Sequence, residues 1–309
     1  MSERSAPSLS MSLPDSAALG FSGNEATGWL RSSRGRLIHF RLLRTLDDLV
    51  HAEQLQEEVF GVTERDLIPA NELIVVPETG GAVIAAFLPD DPDRAAGVLL
   101  GWGGFVNRPR VVSDFLAVRS EARNLGLAGE LKRLQAAIAL DRGFEEIVWT
   151  VDPLRAANAR LNFGKLGAIA NEYEIDRYGS TFATSLYGDL PSDRLHVSWD
   201  IVSPRVVSRL LAEDEAQSAP SNQDPPPFEP EMRGDRAHVE MPRDIDALFS
   251  ASPAEALAWR LRMRDTLRRA FGEGFAITGF LPATGDASPA YLLERLRVAK
   301  DNPPRHAPV

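Results

Sequence analysis

The chain has 309 residues, 44% apolar and 25% charged, enough to enclose one large core or a core with an appended unit. Its 44 Asp and Glu outnumber 34 Lys and Arg, and a net charge of −10 disfavours a polynucleotide partner, whose binding depends on neutralising phosphates with cations. There is no cysteine, so disulfides, thiolate metal sites and a cysteine nucleophile are excluded, and cytoplasmic residence is expected.

Residues 1–36 are rich in Ser, Gly and Ala and are expected to form a disordered leader, since no apolar segment of a secretory signal is present. No apolar run reaches the ~18 residues of a membrane span, so no membrane association is expected. From Leu37 the pattern turns regular. Ile38, Phe40 and Leu42 alternate with polar residues as in a strand, then Thr45 caps a helix that Gly61 ends. Gly81 to Leu88 and Ala96 to Phe105 read as strands joined at Pro89-Asp-Asp-Pro92, a turn sequence suited to an antiparallel hairpin.

Val111 to Val118 is the next strand, followed by the loop Arg123-Asn-Leu-Gly126-Leu-Ala128-Gly129 and a helix with Leu127, Leu131, Leu134 and Ile138 on one face. Ile147 to Val151 is short and wholly apolar, the mark of a buried strand, and completes a β-α-β crossover. A helix from Arg155 to Leu166 and strands at Ile169 to Ile175 and Leu195 to Ile201 follow. Ser203-Pro204 opens a short helix that fades into a Pro-rich linker, 203–235 in all. An α/β extension, 236–299, reads as strand, helix, strand, strand, its helix opened by the capping box at Ser252-Pro-Ala-Glu255, with a disordered tail at 300–309. The Arg260, Arg264 and Arg268 face of that helix is expected to be solvated.

A strand breaking at small residues into a helix leaves backbone N–H groups unpaired, with the positive end of the helix dipole behind them, and so suits a phosphate. Arg119, Arg123, Lys132, Arg133 and Arg155 are expected to add local positive charge. The order Arg123-x-x-Gly126-x-Ala128 resembles the acyl-CoA pyrophosphate loop of the GCN5-related N-acyltransferase (GNAT) superfamily, as does Asn158-Ala-Arg-Leu-Asn162-Phe163-Gly-Lys165-Leu-Gly167. The resemblance covers about 37–202. More narrowly, Trp149-Thr-Val-Asp152-Pro-Leu154, Tyr178-Gly179, Ser192-Asp-Arg-Leu195 and Trp259-Arg260 to Tyr291 look like a bacterial subgroup of predicted acetyltransferases.

The resemblance implies an α/β fold with a mixed, mostly antiparallel sheet, one parallel β-α-β crossover, and helices on both faces. It implies acetyl-CoA or another acyl-CoA as co-substrate without a metal, and a small-molecule amine or amino-acid acceptor. It further implies that two central strands splay, with Phe115, Leu116, Ala117 and Val118 on one side and Thr150 to Asp152 on the other, and that pantetheine pairs with the freed strand edge. Arg123, Asn124, Leu125, Gly126, Leu127, Ala128 and Gly129 would hold the pyrophosphate, and Asn158, Asn162 and Lys165 are further contacts.

Attack by a neutral amine needs a base, for which Asp152 and Asp114 are candidates; Asp152 reads equally as the N-cap of the next helix, with Pro153 behind it. The superfamily often carries a tyrosine acid where this chain has Phe163, which cannot donate a proton; either Tyr173 or Tyr178 substitutes, or the thiolate leaves unaided, or acyl-CoA is bound without turnover. His39 and His196 fall on the outward phase of their strands. An acyl-CoA-binding module without turnover is the alternative. A nucleotide-cofactor oxidoreductase is a third reading, opposed by the missing Gly-x-Gly-x-x-Gly. Oligomeric state is not legible.

Overall fold

A computed structural model describes residues 13–62, 66–179, 190–212 and 225–296. The expectations for 1–12, for 213–224 of the linker and for the tail lie outside the described residues. Strands β1 (Ser22–Asn24), β2 (Gly28–Ser33) and β3 (Arg36–Leu42) lead into α1 (Leu46–Phe60) and the short α2 (Ala70–Leu73). Then come β4 (Ala82–Leu88), β5 (Asp91–Val106), β6 (Arg108–Val118), α3 (Leu127–Asp141), β7 (Glu146–Val151), α4 (Ala156–Ala159), β8 (Ile169–Glu174) and β9 (Arg194–Asp200). The chain continues through α5 (Pro204–Leu211), β10 (Arg236–Glu240), α6 (Ile245–Ala251), α7 (Pro253–Gly272), β11 (Phe275–Leu281) and β12 (Ala290–Arg295).

The strands form one mixed sheet in the order β1-β2-β3-β4-β5-β6-β7-β9-β8-β11-β12-β10, antiparallel except for the parallel pair β6 and β7. A doubly wound parallel sheet, which a dinucleotide-binding domain would need, is thereby excluded. One core packs α1 and α2 through Leu49, Leu55 and Leu73 against Val83, Phe87 and Leu100. The larger core joins α3, through Leu127, Leu131 and Leu134, to Trp199 of β9 and to Met263 and Leu267 of α7.

Local signals behave as their chemistry dictates. Thr45 accepts the Asp48 N–H at 3.2 Å and Gly61 closes α1 at φ 61°. Ser203 and Ser252 cap α5 and α7. Helix α6, capped by Asp244, was not anticipated.

Two expectations are corrected. Residues 13–36 are ordered, not a disordered leader: β1 and β2 extend the sheet, burying Leu19, Phe21 and Trp29, and Phe21 meets Phe40 edge-on at 5.5 Å. A Ser/Gly-rich composition conceals them, because two aromatic anchors are enough for so short a hairpin. The expected helix from Arg155 to Leu166 is one α-helical turn followed by a π-helical stretch, Arg160–Lys165, closed by the Leu166 N–H on the Leu161 carbonyl. The extension joins the sheet where β11 meets β8, through Ile277 and Ala170.

Candidate functional site

Strands β6 and β7 pair only at Val111 with Ile147 and Val112 with Val148. Beyond that point β7 stays paired with β9 up to Val151, while β6 acquires a bulge. Ser113 stands opposite Gly101 and Leu116 opposite Leu99, so Asp114 and Phe115 together face Leu100. The bulge bends β6 away, and its edge from Phe115 to Val118 has no β7 partner among the described residues. The result is a wedge whose vertex lies at Val112 and Ser113.

At the wide end of the wedge a 3-10 turn, Ser120–Leu125, leads into Gly126, which adopts φ 76° and caps α3. Among the described residues no side chain caps that helix, so its first-turn N–H groups and positive dipole end are not spent on one. Two residues outside the sequence expectation fix the loop. Ser33 donates to the Leu125 carbonyl at 2.8 Å, and Arg34 to the Asn124 carbonyl at 2.6 Å. Both come from the β2–β3 hairpin, so the uncounted strands serve the site.

Of the cations expected near the loop, Arg123 is exposed. The others are engaged elsewhere. Arg119 donates to the Ala95 carbonyl and pairs with Glu58, Arg133 donates to the Leu210 and Ala212 carbonyls, and Arg155 grips Asp246. Lys132 is buried at 3% exposure beneath the wedge. Asn124 and Asn158 are exposed and Lys165 is half-buried, whereas Asn162 is buried. Phe163 is fully buried, its ring edge-on to Tyr291 at 5.6 Å.

Asp152 is not placed as a base, nor as an N-cap. Arg260 donates to both its oxygens at 2.8 Å and the Leu154 N–H to Oδ1 at 2.8 Å, while α4 starts only at Ala156. Burial works against its charge, but the guanidinium outweighs this and holds the carboxyl below its ordinary range, the wrong direction for a base. The arginine face expected to be solvated therefore divides: Arg260 is fully buried, Arg264 grips Asp193 through two 2.9 Å bonds, and Arg268 is exposed.

Tyr173 donates to Asp193 at 2.7 Å, and burial together with that carboxylate pushes its pKa far up. Its proton is committed, which removes it as an acid. Tyr178 is 38% exposed, with Arg194 at 4.9 Å from its ring.

On the sheet face opposite α3, cross-strand pairs align Trp102, Val112, Val148 and Ser198 in one row, and Thr150, His196 and Glu172 in the next. Asp114 accepts from the Trp102 indole N–H at 3.0 Å. The residue is exposed by surface area yet crowded by its neighbours, and this partial desolvation raises its pKa against the lowering by the indole bond and Arg177. His196 meets Glu174 at 2.7 Å. Its outward phase was legible, but the glutamates that surround it come from β8 and were not.

No family model matches the chain, and no curated protein sequence matches it. Solved structures that resemble it include an acetyltransferase of GNAT family from Streptococcus pneumoniae, 17% identical over 52% of this chain and 97% of that one, with a TM-score of 0.42. The ribosomal-protein-S18-alanine N-acetyltransferase from Escherichia coli is 14% identical over 54% and 95%, at 0.43. An N-acetyltransferase from Staphylococcus aureus Mu50 is 17% identical over 53% and 98%, at 0.42. Overlap this limited says nothing of substrate or residues; the strand order, bulge and wedge are this chain's own.

Proposed function

We propose that the protein is an N-acyltransferase that moves an acyl group, acetyl by default, from coenzyme A to an amine by direct attack. One observation carries the reading: the parallel pair opens after two residues, and the freed β6 edge leads through one 3-10 turn to a helix N-terminus that no described side chain caps. An anion at that terminus and an extended amide-bearing arm along the edge is what such a geometry accommodates. The pyrophosphate lies over 125–129 with Arg123 beside it, the pantetheine along Phe115 to Val118, and the thioester at the vertex.

The amine reaches the thioester from the face opposite α3. Asp114, next to the vertex and with a raised pKa, takes its proton, while a backbone N–H freed by the bulge polarises the carbonyl. The acidic groups there, Glu172 and Glu174, suit a small cationic acceptor. Purified protein with acetyl-, propionyl- and succinyl-CoA and a panel of amino acids and polyamines is expected to release free thiol only when an amine is present, and this cysteine-free chain adds no background. Stabilisation by acyl-CoA without thiol release would instead identify a binding module.

A further inference from the structure

Collapse of the tetrahedral adduct expels a thiolate; of the side chains considered for its acid, Phe163 has no proton, Tyr173 has committed its own to Asp193, and Tyr178 stands 38% exposed. The vertex holds another donor. Ser113, the last β6 residue before the bulge, is 5% exposed, and its Oγ accepts from Lys132 Nζ at 2.8 Å and from Gln135 Nε2 at 3.2 Å. With both incoming bonds made, its own hydroxyl proton has no acceptor among the described residues. Lys132 meanwhile bridges the opening from the α3 side, with Nζ 2.8 Å from Ser113 on β6 and 3.8 Å from the centre of the Trp149 ring on β7.

We propose that Ser113 is the acid that protonates the leaving thiolate, and that Lys132 is the proton source behind it. This rests on the acyltransferase reading. When the carbon–sulfur bond breaks, its electron pair goes to sulfur, and sulfur takes the Ser113 hydroxyl proton. The Ser113 oxygen takes a proton from the Lys132 ammonium, leaving a neutral amine that solvent reprotonates between turnovers. The Ser113–Lys132 contact can carry a hydrogen bond in either direction, so neither state strands a buried polar atom.

The charge environment fits a lysine that changes state. No carboxylate pairs with Lys132 among the described residues. On α3, Glu130 pairs with Arg31, and Arg133 turns to the α5 carbonyls. On β6, Asp114 receives the Trp102 indole N–H, and on β7, Glu146 pairs with Arg108 and accepts from Ser198. Desolvation alone lowers Lys132 to about 7, so both forms are populated near neutrality.

The test is the pH profile of kcat with acetyl-CoA and an accepted amine, for the wild type, Ser113→Ala and Lys132→Met. The wild type is expected to lose rate as pH rises through about 7. Both variants are expected to fall ~10²-fold or more in kcat with little change in KM for acetyl-CoA, and to lack that limb. Ser113→Ala removes a single oxygen, so it decides the matter even if Lys132→Met does not fold. A Ser113→Ala enzyme with the wild-type rate and profile overturns the relay and leaves the transferase reading standing. A wild type that binds acetyl-CoA but releases no thiol with any amine overturns both.

Discussion

Asp152 and Arg260 hold each other through two parallel bonds of 2.8 Å, one between Oδ1 and Nη1 and one between Oδ2 and Nη2, with 4% and 0% of their surfaces exposed. The pair ties the end of β7, where the wedge is widest, to α7 of the extension, and Tyr291 adds a bond to the Pro153 carbonyl at 2.8 Å. The extension therefore holds one wall of the site. Arg260→Met is expected to cost about 3–5 kcal/mol in denaturant unfolding, because it strands a buried carboxylate, and Asp152→Asn in the same chain should recover part of the loss. Asp152 has a depressed pKa, so its contribution is present at neutral pH, above the unfolded value of ~3.9, and is lost as pH falls through its folded value.

The phosphate cradle is tested at Gly129 and not at Gly126, because Gly126 needs its positive φ and any side chain there strains the turn. Gly129 lies in the first turn of α3, where an added Cβ meets only Leu161 at 4.0 Å. Gly129→Glu places a carboxylate at the positive helix end, so the protein should be as stable as the wild type or gain about 1 kcal/mol. Acyl-CoA binding should nonetheless fall at least tenfold by calorimetry. Undiminished affinity would remove the pyrophosphate from this loop.

Much of this was legible because the signals are local. The Thr45 cap, the Gly61 stop and the Ser203 and Ser252 caps each act within four residues of chain. What was not legible depends on distant partners. Arg260 and Arg264 stand four apart on a helix and look solvated until Asp152 and Asp193, 108 and 71 residues away, come to meet them. Lys132 reads as a phosphate cation on an amphipathic helix; only the splay of β6 and β7 above it gives it another place. The bulge at Asp114 and Phe115 has no marker in sequence, since neither residue is a glycine.

Lys132 should also leave a trace in stability. Its folded pKa of about 7 lies below its unfolded value, so protonation favours the unfolded chain, and stability should fall as pH drops from ~10.4 to about 7 and change no further on its account below that. The full effect is on the order of 4 kcal/mol. Thermal unfolding of Lys132→Met relative to the wild type should show the variant gaining over that window. A difference independent of pH would show that Lys132 is not buried as an unpaired amine.

Asp114→Asn should lower kcat by ~10²–10⁴-fold while acyl-CoA still binds. Trp102→Phe removes the hydrogen bond that holds the Asp114 pKa down, so the acid limb of the rate profile should move to higher pH. An acid limb that does not move in the Trp102 variant would assign the base elsewhere, with His196 and its Glu174 partner next on that face.

Amide hydrogen exchange with and without acetyl-CoA tests the wedge most directly, because among the described residues the β6 edge turned toward β7 has no strand partner beyond Val112 and no side chain caps α3. Acetyl-CoA is expected to slow exchange in two stretches together, Phe115 to Val118 and Leu125 to Gly129, with little change in α7. Protection confined to other segments, or none at saturating acetyl-CoA, would contradict the account.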